Sequence, residues 1–65
     1  MCLSSVYVIK SDNDKELLVK NIAGVTTHED GKIVLTNLMG VPTTVYGQIV
    51  TVNLMDNYIY IRTRE

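Results

Sequence analysis

The chain's single cysteine is its second residue, Cys2, one peptide bond from the amino group of Met1. A thiolate beside backbone nitrogen can chelate a soft or borderline metal ion without help from any other side chain. The Met1 amine, the Cys2 amide nitrogen and the Cys2 thiolate would close two fused five-membered rings. If Met1 is removed, the Cys2 amine and thiolate close only one. Nickel(II) suits such a donor set, because it accepts thiolate and deprotonated backbone nitrogen in square-planar geometry. A bound cation also lowers the thiol pKa and so favours the ligating form. One chain supplies one thiolate. Two chains around a twofold axis would supply a pair, and self-complementary dimers of this kind are common. The simpler role of Cys2 is that of a small buried hydrophobe, as free cysteines often are.

The remaining reactive residues are sparse. His28 is the sole histidine, without a partner at ligand spacing, and reads as a solvated residue at the rim of the fold. Asp12, Asp14, Glu29 and Asp30 fall in turn-like stretches and lack the spacing of a calcium loop. Ser4 and Ser5 have no identifiable base, so an enzyme is the least expected class. Gly31, Gly40 and Gly47 are isolated and do not form a phosphate-binding loop. The main alternative to metal binding lies in Tyr58, Tyr60, Arg62 and Arg64, which alternate along one stretch. Aromatic rings interleaved with cations are the ingredients of a small RNA-binding β-barrel. The same tyrosines could instead cover the outer sheet or serve a metal-free interaction adaptor.

Composition narrows these choices. With 65 residues the chain is one domain, 1–65, with a thin core. A domain of this size needs a staple, and one cysteine leaves only dimerisation or a metal for that role. A hydrophobic content of 46% with 20% charged residues describes a globular protein. A net charge of −1 with six Lys and Arg residues lacks the basic footprint of a nucleic-acid binder. No apolar run approaches the roughly 20 residues that span a bilayer, and no signal peptide is visible. The expected location is therefore the reducing cytoplasm.

The elements that must position these residues read as short strands: Cys2–Lys10, Glu16–Ile22, Val25–Glu29, Lys32–Leu38, Thr43–Tyr46, Ile49–Leu54 and Tyr58–Thr63. Their separators are rich in Gly, Asn and Asp, which tolerate the backbone angles of turns. Asp30-Gly31 signals a two-residue type I′ hairpin turn, pairing Glu29 with Lys32 and His28 with Ile33. A two-residue turn at Asp56-Asn57 would place Val50, Val52, Leu54, Ile59 and Ile61 in one inward row. The expected fold is all-β: a single SH3-like or OB-like barrel of six to seven short strands, closed to remove sticky edges.

The start Met1-Cys2-Leu3-Ser4-Ser5-Val6-Tyr7, on a short strand-rich chain, resembles the CooT family. Those are small nickel-binding proteins linked to maturation of carbon monoxide dehydrogenase. HypC-type hydrogenase chaperones also open with Met-Cys but are larger. The resemblance implies a cytoplasmic homodimer with one Ni(II) shared between two chains, held through Cys2 and Met1. It also implies a nickel enzyme as client, carbon monoxide dehydrogenase foremost, with delivery, storage and sensing all open as roles.

Overall fold

The computed structural model describes residues 3–64, which form five strands and no helix. They are β1 (Ser4–Ser11), β2 (Asp14–Thr27), β3 (Lys32–Asn37), β4 (Pro42–Asn53) and β5 (Tyr58–Thr63). The ring follows chain order, each neighbouring pair antiparallel, and closes through a parallel contact of β1 with β5 from Ser5–Tyr58 to Val8–Ile61. The expected all-β barrel is present.

Its strand count is five instead of six to seven, because two expected breaks are bends inside long strands. β2 pairs with β1 from Asp14 to Ile22, then with β3 from Ile22 to Thr27. The change of partner coincides with Asn21 at φ 60° and with register shifts on both sides. This is a β-bulge, which kinks a strand without ending it. β4 likewise pairs with β3 over Pro42–Tyr46 and with β5 over Gly47–Asn53. Gly47 stands where β4 changes partner. A Cβ there would meet the Thr63 Cα at 2.8 Å and the Arg62 carbonyl group, so the strand can pass only without a side chain. Glycine marks close backbone approach here, not a turn.

Two hairpins also depart from the expected register. Gly31 alone takes positive φ (93°), whereas a type I′ turn needs two such residues. Asp30 prefers to accept a hydrogen bond from Lys32 N through Oδ1 at 3.0 Å. Thr27 therefore faces Ile33 and His28 lies opposite Lys32, with His28 N donating to Lys32 O at 2.9 Å. The last hairpin uses a four-residue loop, Leu54–Asn57, in which only Asn57 has positive φ (59°). Asn53 Oδ1 accepts from Asp56 N at 2.8 Å and fixes that loop. Val52 consequently faces Ile59, and a further shift around Val50 puts Ile49 opposite Ile61.

The inward row is thus only partly as expected. Ile59 and Ile61 are buried, but Val50, Val52 and Leu54 are 44%, 52% and 75% exposed. The core consists of Val6, Val8, Ile22, Ile33, Leu35, Ile59 and Ile61, with Val19, Val45 and Ile49 packed against its central cluster. It draws on four of the five strands, so no hairpin carries it alone.

Candidate metal centre and its surroundings

The expected ligands Met1 and Cys2 lie outside the described residues, and the structure defines the platform from which they extend. Ser4 pairs with Ile22 beside the Asn21 bulge. Ser5 N donates to Asn57 O at 3.0 Å, and Leu38 N donates to Asn21 O at 2.9 Å. The amino-terminal end of β1 is therefore anchored between the β2 bulge and the β4–β5 loop, with the β3–β4 loop tied to that bulge. Two peptide units separate Ser4 from Cys2, a span of at most about 7 Å. Among the described residues, no three or more His, Cys, Asp or Glu side chains gather as a metal-holding group.

Beside this end the barrel splays open. Pairing of β1 with β2 stops at Ile22, while β2 continues with β3 to Thr27. The gap between this half of β2 and the far half of β4 is a groove of about 370 Å³. Buried Ile22 and Ile59 line it with Ile49, and exposed Val25, Val52 and Leu54 complete it. Ser4 also lines it, and no charged side chain does. A leucine and valines between turn residues gave a signal for this groove, but alternation assigned them inward.

His28 is exposed in the β2–β3 turn, away from the buried face of Ile33 and Leu35, because the turn is longer by one residue than expected. Its carbonyl accepts from Gly31 N at 3.1 Å. That turn is clasped from the far end of the chain. Arg64 Nη2 donates to Asp30 O at 2.8 Å, and the guanidinium lies 5.8 Å from the centre of the Tyr46 ring. Arg64 thus leaves the expected Tyr58–Tyr60–Arg62–Arg64 face and acts as a strap between chain end and hairpin.

The tyrosines of that face engage each other. Tyr58 and Tyr60 stack at 4.6 Å, and Tyr7 meets Tyr60 edge-on at 5.9 Å. The Lys15 ammonium sits 5.1 Å from the Tyr60 ring centre, and Asn53 Nδ2 donates to Tyr58 Oη at 3.2 Å. Partial burial raises the Tyr60 phenol above its ordinary pKa, and neighbouring Tyr58 and Tyr7 add to the rise. Tyr7, Tyr58 and Tyr60 thus pack as one aromatic cluster with the Lys15 ammonium over it.

The family model described as CO dehydrogenase accessory protein CooT matches residues 1–62, a span that includes Met1 and Cys2. This chain belongs to the CooT family. Its fold matches the crystal structure of a protein described as a CooT from Carboxydothermus hydrogenoformans, with a TM-score of 0.84 and 22% sequence identity. That match covers 98% of this chain and 100% of the other. A search of curated protein sequences returned no match. The family is one of accessory proteins for CO dehydrogenase. Among the described residues of this CooT-family chain, no helix is long and apolar enough to cross a membrane.

Proposed function

We propose that this CooT-family chain is a nickel-binding accessory protein that works as a cytoplasmic homodimer. Two amino termini share one Ni(II), and carbon monoxide dehydrogenase is the client. The observation that carries this reading is the family match running through Met1-Cys2. The donor chemistry supports it, since Cys2 thiolate and backbone nitrogen suit square-planar nickel(II). Anchoring of Ser4 and Ser5 to the barrel supports it as well. A ligand pair on two short tethers from a rigid body can gather the ion without a preformed cage, and can release it to a stronger site. Nickel here is cargo. Binding deprotonates Cys2, so acid returns the thiol proton and expels the ion.

Nickel calorimetry on the reduced full chain tests the reading. One ion per two chains is expected. Cys2→Ala should weaken binding by more than about 100-fold and abolish thiolate-to-nickel absorption, a loss beyond that of a supporting group. His28→Ala should retain both, and blocking or extending the amino terminus should weaken the site. Undiminished nickel affinity in Cys2→Ala would eliminate this mechanism.

A further inference from the structure

We propose that the fork between the far ends of β1 and β5 is a docking site for an extended, acidic segment of a partner protein. The two strands run together in parallel from Ser5–Tyr58 to Val8–Ile61 and then part. Among the described residues, β1 continues through Ile9 and Lys10 to Ser11 with β2 alone, and β5 continues through Arg62 to Thr63 with β4 alone. Arg64 draws the end of β5 toward β4. Its N donates to Tyr46 O, and its Nη2 donates to Asp30 O in the β2–β3 turn, each at 2.8 Å. Both strands therefore turn a free backbone edge toward a cleft of about 410 Å³, lined by Ile9, Lys10, Ser11, Asp12, Arg62 and Thr63. A row of free N–H and C=O groups is a template on which another strand adds.

The walls of the cleft select the occupant. An extended chain alternates its side chains between two faces. On the outer face Arg62 flanks the cleft, and Lys15 lies beside Ile9 as its pairing partner on β2. On the inner face the cleft shares Lys10 and Thr63 with a second recess, which Val8, Leu18 and Val45 line. The nearby acids are placed elsewhere: Glu16 is held by Lys10 at 3.5 Å, and Asp12 stands in the turn beyond the last residue of β1. A segment with carboxylates facing out and apolar side chains facing in is complementary to both faces. Charged residues on an edge discourage an apolar strand from pairing there, whereas carboxylates make charge-assisted hydrogen bonds with the same cations. The fork lies at the opposite end of β1 from Ser4, about 23 Å along this eight-residue strand. A partner held there leaves the amino terminus clear, so the site goes beyond the nickel reading and does not rest on it.

The test is a two-dimensional NMR titration of the reduced full chain with a short capped peptide that alternates valine and glutamate. Saturable shifts should gather on Ile9, Lys10, Ser11, Arg62 and Thr63, with a Kd below about 1 mM. Hydrogen exchange should slow at amides among Ile9, Lys10 and Ser11. Arg62→Glu should weaken binding by at least about tenfold, as reversing a charge that faces its counterion does, and Lys10→Gln should weaken it as well. Both side chains are exposed, so circular dichroism should show the fold retained. Lys20→Glu, at an exposed cation outside the cleft, should bind as wild type. Cys2→Ala should also bind as wild type, which separates failure of this site from failure of the nickel reading. A peptide with lysine in place of glutamate should not bind, nor should one with adjacent prolines at its centre, which lacks the edge donors. Absence of shifts at the fork would overturn the proposal, as would equal binding of the lysine peptide or undiminished binding to folded Arg62→Glu. Concentration-dependent shifts of the same amides without peptide would also overturn it, by making a second copy the occupant.

Discussion

Replacing Gly47 with alanine tests the corner on which the barrel closes. The added Cβ would lie 2.8 Å from Thr63 Cα and 3.0 Å from the Arg62 carbonyl carbon, both backbone atoms of β5. Backbone on this side cannot swing away as a flexible side chain would. Overpacking of this kind costs about 1–3 kcal/mol. Separating the strands also strains the bonds from Gly47 N to Gly31 O at 2.9 Å and from Arg64 N to Tyr46 O at 2.8 Å. Each such bond contributes about 1 kcal/mol. The combined loss is therefore about 3–5 kcal/mol, against a total stability of about 3–10 kcal/mol for a domain of this length. At roughly 4–8 °C per kcal/mol, the Tm should fall by at least about 12 °C. Gly24→Ala is the control. Its Cβ would meet only Thr36 Cβ at 3.9 Å, an ordinary contact, so its Tm should stay within about 4 °C of wild type. Thermal unfolding followed by circular dichroism, at fixed protein concentration, reads both. A Gly47→Ala protein as stable as the Gly24→Ala protein would refute the account of the corner.

Two further outcomes follow from burial and from charge. Ile61 is fully buried, so Ile61→Ala should cost about 2–5 kcal/mol in urea unfolding, and Ile61→Asp, which buries an unpaired charge, should leave the chain unfolded by circular dichroism. A native-like Ile61→Asp spectrum would contradict the packing described. Tyr60 has a raised pKa in the folded state, so the unfolded chain loses that proton first as pH climbs past the ordinary phenol value of 10.0. Stability due to the neutral phenol is therefore complete below that pH and is lost as pH rises through the folded pKa. Denaturant midpoints measured across alkaline pH should fall less steeply in Tyr60→Phe than in wild type, and identical slopes would remove the burial of this phenol from the argument.

The primary structure by itself determined the class of the fold and set out the donor groups at its start. Alternating Val6 and Val8, Ile33 and Leu35, and Ile59 and Ile61 are inward in the structure as their period requires, because a strand points successive side chains to opposite faces. The Met1-Cys2 donors are contiguous along the chain and so can be read without coordinates, and their use for nickel is the proposal made above. Register was not legible. A two-residue turn at Asp56-Asn57 and a four-residue loop both satisfy the local residue preferences, and the choice fell to Asn53, whose side chain caps the longer loop. Gly24 and Gly47 look the same as turn glycines on paper. Only the path of β5 past Gly47 shows that the missing side chain admits another strand's backbone. The groove belongs wholly to the tertiary structure. Val52 faces Ile59 as an inward residue should, yet remains half-exposed, because the neighbouring strand that would cover it has turned to a different partner. Local sequence sets which side of a strand is apolar, whereas ring closure decides whether anything lies on top of it.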